Sequence, residues 1–118
     1  MANTIVWCDI PVVDLARATA FYSAVLNAKL EPIPGMDGAV LPHQGEEVGG
    51  CLFHKAGEQP SEHGVLIYLN CQGWLDDAIA QAEKHGGTVL QAKHQIGPYG
   101  FRAVVRDSEG NRVALHSM

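Results

Sequence analysis

The chain has 118 residues, 47% of them hydrophobic and 18% charged. That size and balance describe one globular domain, and they exclude both a disordered chain and a pair of full catalytic domains. Eight Lys+Arg against 13 Asp+Glu give a net charge of −5, which argues against a nucleic-acid or anionic-membrane partner and is compatible with, without selecting, a cationic ligand.

The N-terminal stretch has no basic region followed by an apolar run, so no signal peptide is expected. No apolar run approaches membrane-spanning length. Cys8, Cys51 and Cys71 form no C-x-x-C pair and lie in apolar, strand-like segments. They read as buried reduced thiols of a cytoplasmic protein.

Residues 4–10 are β-branched and aromatic, and Pro11 closes them, which predicts a strand. Asp14 is a good helix N-cap. Leu15, Ala18, Phe21, Tyr22, Val25 and Leu26 follow at helical spacing, and Asn27 is a plausible stop. On this stripe Tyr22 reads as core. Extended segments are expected near 28–33, 38–42 and 48–54, punctuated by prolines and glycines. Residues 56–64 are polar and turn-rich and read as a linker. The pattern then restarts. Val65–Leu69 predicts a strand, and Leu75, Ala78, Ile79 and Ala82 a second helical stripe, ended by His85 and Gly86-Gly87. Segments 88–93, 100–106 and 111–116 read as strands. The last two are joined by the turn Asp107-Ser-Glu-Gly-Asn111.

The order is strand, helix, three strands, and then the same again. An offset of 60 residues places Leu15 on Leu75, Ala18 on Ala78, Ala20 on Ala80 and Leu30 on Leu90. A duplicated unit is therefore expected. Each half is too small to stand alone, so the halves must share a core or recruit a second chain.

Three strings carry a resemblance: Ile10-Pro-Val-Val-Asp-Leu-Ala-Arg-Ala-Thr-Ala-Phe-Tyr22, Gly86-Gly87-Thr-Val-Leu90, and Asp107-Ser-Glu-Gly-Asn-Arg-Val-Ala-Leu-His-Ser117. Together they span both halves. The chain resembles the vicinal oxygen chelate superfamily, which includes glyoxalase I, bleomycin-resistance proteins, fosfomycin-resistance enzymes and extradiol dioxygenases. The resemblance implies an α+β fold of two tandem βαβββ modules forming a cupped mixed sheet. It implies a single domain over 1–118, with module 1 at about 1–55, the linker at 56–64 and module 2 at about 65–118. It also implies a homodimer, with the pocket near or across the interface.

In metal-dependent relatives, His, Glu or Gln ligands project into the cup, and open positions let the substrate chelate the ion. The resemblance puts one ligand position seven residues before Asp14, at Trp7, and its counterpart in the second module at Leu66. The glutamate four residues after the turn glycine falls at Ala114. The first-module counterpart falls near Gly50 or Cys51. Indole, isobutyl and methyl groups cannot bind a divalent ion. No cofactor is expected, and a divalent metal is disfavoured.

Strand alternation puts Asp9, Tyr68, Asn70, Arg112 and His116 on the same face as Trp7, Leu66 and Ala114. His116 reads as a general base, a ligand or a hydrogen-bond donor, or as a strand-end histidine bonded to a backbone carbonyl. His54 ends a strand in the first module in a similar way. His54, His116 and Asp9 are the one alternative metal triad. Tyr99, Phe101 and Arg102 follow Gly97-Pro98 and read as rim residues, or as a bulged strand entry in which Gly100 supplies the permissive backbone. Candidate catalytic residues are His116 and Tyr99. Candidate ligand-binding residues are Trp7, Asp9, His54, Leu66, Tyr68, Asn70, Tyr99, Phe101, Arg102, Ala114 and His116. His43 and Glu47 read as a solvated loop, and His63, His85 and His94 as surface residues.

The sequence does not decide whether the chain is an enzyme. The leading expectation is a metal-free, dimeric protein that binds a small organic ligand. The rivals are a metal-dependent lyase, isomerase or dioxygenase with displaced ligands, and a dimerisation or interaction module.

Overall fold

In the computed structural model, which describes residues 3–45 and 47–118, two strand–helix–strand units follow one another. The first comprises β1 (Trp7–Pro11), α1 (Leu15–Leu26), β2 (Glu31–Pro32), β3 (Gly38–Val40) and β4 (Gly49–Phe53). The second comprises β5 (Ile67–Asn70), α2 (Leu75–Lys84), β6 (Thr88–Gln95), β7 (Phe101–Arg106) and β8 (Arg112–Ser117), with a short 3₁₀ turn at Gly97–Tyr99. The expected α+β class and the two βαβββ modules are observed.

Each unit builds its own four-stranded sheet, in the orders β1-β4-β3-β2 and β5-β8-β7-β6. In both, the first strand pairs in parallel with the last and the remaining pairs are antiparallel. The helices begin at Leu15 and Leu75, the offset of 60 that the repeat predicts.

The Asp14 side chain accepts from the Arg17 N–H at 3.1 Å, and Asn27 ends α1 in the left-handed conformation at φ 52°. The predicted stripe is the buried one: Ala18, Phe21, Tyr22, Val25 and Leu26 face inward. The strands are shorter than expected where the chain cannot donate to a ladder. Pro32 and Pro34 leave β2 only two residues. β1 starts at Trp7 rather than residue 4 and continues through Pro11, whose missing N–H is harmless on an edge strand.

One core joins the modules. Phe21, Tyr22, Val25 and Leu52 from the first pack in the same cluster as Ala78, Ala82, Val105, Val113 and Leu115 from the second. Burying each of the larger side chains stabilises the fold by about 2–3 kcal/mol. The indole N–H of Trp74 donates across the junction to the Val25 carbonyl at 3.0 Å.

A polar clasp crosses the same junction from the turn between β7 and β8. The Asp107 carboxylate accepts the backbone N–H groups of Glu109, Gly110 and Asn111 at 2.8–2.9 Å and the Tyr22 hydroxyl at 2.5 Å. The Asn111 amide donates to the Pro11 carbonyl at 2.8 Å. The Glu109 carboxylate accepts the N–H groups of Val13 (2.8 Å) and Asp14 (2.7 Å), the Ser108 hydroxyl (3.0 Å) and the Arg17 guanidinium (2.6 Å). Burial alone would raise the pKa of Glu109. The guanidinium and these donors instead hold it down to about 2.

Candidate functional site

Alternation along each strand separates a helix-covered face from an open face. On the first sheet, Trp7, Asp9 and Cys51 share the open face. The indole N–H of Trp7 donates to Asp9 Oδ1 at 3.0 Å, and the Cys51 thiol donates to the same oxygen at 3.3 Å. Trp7 is 43% exposed and meets His43 edge to face. His43 and Glu47 are in irregular, exposed chain, as their sequence context implied.

On the second sheet, Asn70 pairs in register with His116, which faces Arg102. One step along, Tyr68 pairs with Ala114, which faces Val104. All six lie on the open face, and Leu66, just before β5, shares their parity. Arg102 donates from Nη1 to the Tyr68 hydroxyl at 2.5 Å, a bond that spans β8, where Ala114 is fully buried. Its Nε donates to His94 Nε2 at 3.1 Å. The other ring nitrogen of His94 bonds the Ala92 carbonyl at 2.8 Å, so His94 is the neutral tautomer with its proton on Nδ1. His116 donates from Nε2 to the Tyr99 carbonyl at 2.6 Å, and its ring meets Tyr68 edge to face.

The candidate residues sort cleanly by position. Trp7 and Asp9 stand on one open face, and Tyr68, Asn70, Arg102, Ala114 and His116 on the other. Of the two readings of His116, the strand-end histidine on a backbone carbonyl is the one observed. Tyr99 is 71% exposed at the 3₁₀ turn, and its carbonyl rather than its hydroxyl makes the recorded contact with His116. Phe101 pairs with Ser117 and lies under Lys93, whose ammonium also reaches Asp76 of α2, so it faces the helix side. Neighbours in a strand cannot share a face, and Arg102 holds the open one.

His54 is exposed at the end of β4 and pairs with Asp37 at 3.0 Å. It therefore joins neither Asp9, which is held by Trp7 and Cys51, nor His116 on the second sheet. Among the described residues no group of three or more His, Cys, Asp or Glu could hold a metal ion. Trp7, Leu66 and Ala114 offer no donor at the positions where the resemblance puts ligands.

Sequence reasoning missed His94, which it assigned to the surface. β6 carries register shifts between Val89 and His94, and these break the parity count that would have placed it opposite Arg102. His85 bonds the Gln81 carbonyl and is half-buried rather than fully on the surface. The three thiols are unpaired, and burial pushes Cys71 up to about 11.

Two cavities flank the junction. One of about 430 Å³ lies between Val12, Val13, Glu109 and the linker. One of about 220 Å³ lies between β1 and the β5–β8 edge, with Asp9, His63 and Arg112 in its wall. Tyr68, Arg102 and His116 line neither.

Paired βαβββ modules define the glyoxalase-like class of folds. Residues 4–115 match the model of the Glyoxalase/Bleomycin resistance protein/Dioxygenase superfamily, and the chain belongs to that superfamily. A glyoxalase/bleomycin resistance protein from Albidiferax ferrireducens superposes with TM-score 0.81 at 16% identity, covering 98% of this chain and 99% of the other. A glyoxalase-related enzyme from Fulvimarina pelagi gives 0.74 at 13% identity, covering 99% and 89%. The fosfomycin resistance protein of Listeria monocytogenes gives 0.71 at 17% identity, covering 100% and 93%. No curated protein matches the sequence. At these identities the likeness is one of fold. Among the described residues, no helix is long and apolar enough to cross a membrane.

Proposed function

We propose that the chain binds a small organic molecule on the open faces of its sheets without a catalytic metal, and that it works as a homodimer in the cytoplasm. The observation that carries this reading is the side-chain set on those faces. The resemblance puts metal ligands at Trp7, Leu66 and Ala114, and a guanidinium bonded to Tyr68 spans β8 beside Ala114. A fixed positive charge there disfavours a divalent cation. Indole, isobutyl and methyl groups give a divalent ion no ligand, so this reading assigns these three positions no Lewis-acid step.

Exposed aromatic groups support binding. Trp7 and Tyr68 remain 43% and 46% exposed on sheet faces, a state that a ligand or a second chain would relieve. Among the described residues the two sheets share no strand pairing, so β1 and β5 each lie at a sheet edge. A second copy over these faces would enclose what one chain leaves open.

Metal analysis of untagged protein, grown with zinc, manganese, nickel and iron in the medium, tests the reading. The expected result is a substoichiometric content of each metal, with thermal stabilisation by members of a metabolite panel. A stoichiometric divalent ion that survives dialysis would overturn it.

A further inference from the structure

The chain is acidic overall, yet the open face of its second sheet is basic. Arg102, Arg106 and Arg112 all point to that face, because β7 and β8 pair Arg102 with His116 and Arg106 with Arg112. Like charges directly opposite each other across strands destabilise unless they are compensated. Arg106 has Glu62 at 3.3 Å. Among the described residues, Arg102 and Arg112 have no carboxylate within salt-bridge distance. Arg112 donates to the Gly64 carbonyl, but its Nε is buried with no hydrogen-bond partner among the described residues. A buried guanidinium nitrogen without an acceptor is costly, and it marks a face short of negative charge.

The hydrogen-bond inventory around Arg102 sharpens this. Its partners, the Tyr68 hydroxyl and neutral His94, both act as acceptors. The Tyr68 proton is then left to donate, and the second terminal nitrogen of Arg102 keeps both its hydrogens. Asn70 uses its carbonyl oxygen on the Gln72 N–H at 2.9 Å, leaving its amide hydrogens free. The site thus presents donors clustered around one fixed charge. The half-exposed Tyr68 ring provides an apolar surface beside them.

We infer that this face takes a small organic anion, a carboxylate on an aromatic or apolar body, held by the Arg102 guanidinium and the Tyr68 hydroxyl. The inference rests on the ligand-binding reading above and narrows it. The net charge of −5 left a cationic ligand open, and the local charge favours an anionic one. Tyr68 and His94, on strands at either side of the β8–β7 pair, hold the guanidinium before a ligand arrives. The entropy of ordering a long side chain is thereby reduced.

The test uses three probes that share one apolar body: naphthoate, naphthalenemethanol and naphthylmethylammonium. Each is titrated into nitrogen-labelled full-length protein at neutral pH, with amide shifts followed at Tyr68, Val104, Ala114 and His116. Naphthoate should bind at least about tenfold more tightly than the alcohol, the scale of one charge-assisted hydrogen bond. The preference should vanish in Arg102→Gln and survive in part in Arg102→Lys, which keeps the charge. Tyr68→Phe should weaken naphthoate binding while retaining the ring. Equal or better binding of the alcohol or ammonium probe, or a carboxylate preference that survives Arg102→Gln, overturns the anion assignment and leaves the binding face standing. If none of the three probes shifts these amides, the binding reading fails with it.

Discussion

Glu109→Gln removes one negative charge from the junction of the modules and keeps the side chain's shape. The wild-type carboxylate side chain is 0% exposed and takes hydrogen bonds from Val13, Asp14, Arg17 and Ser108. Its pKa falls from 4.5 to about 2, a difference worth about 3 kcal/mol of stability at neutral pH. Arg17 is half exposed, so solvent screens part of that, and the expected loss is about 2 kcal/mol. For a domain of this size the loss is about 10 °C in melting temperature.

The pH dependence has a definite sign. The folded pKa is depressed, so the contribution is complete above about pH 4.5 and drains away as pH falls towards 2. Urea unfolding of both proteins along this range should show a gap that is full at neutral pH and closes below about pH 4.5. A gap under about 0.5 kcal/mol at neutral pH, the level of an ordinary surface change, would refute this account of the clasp. So would a gap that stays constant to the acid end.

Gly100 sits at φ 93°, and a Cβ there would lie 2.3 Å from the Ser117 carbonyl oxygen. Gly100→Ala should cost about 3 kcal/mol from strain and collision together, and an unchanged melting temperature would count against it. Cys71 is fully buried with its thiol near 11. At neutral pH it holds about a hundredfold less thiolate than an ordinary thiol. Iodoacetamide should leave it unmodified in the native protein and label it readily in urea, as mass spectrometry would show. Rapid native labelling would mean that the core around it opens.

Both helices were legible because their signals are local: a capping Asp14, stripes at helical spacing, and Asn27 or Gly86-Gly87 beyond the last turn. The modular plan was legible for the same reason, since the two helix starts keep their 60-residue offset. The clasp was not. Glu109 meets Val13, Asp14 and Arg17, which are more than 90 residues away, and an acidic residue in a turn ordinarily faces water. Open-face assignments followed alternation wherever a strand was regular, which placed Trp7 with Asp9 and Tyr68 with Asn70. Alternation could not reach His94, because β6 shifts register before it.

The duplication is symmetric in its elements and asymmetric in its wiring. Helix α1 receives Glu109 of the second module at the N–H groups around its start. Helix α2 begins after Trp74 with no side-chain cap hydrogen bond. The two halves are therefore no longer interchangeable. One serves as the clamp and the other as the part clamped, so exchanging or doubling either half would dissolve the junction even with every strand and helix retained.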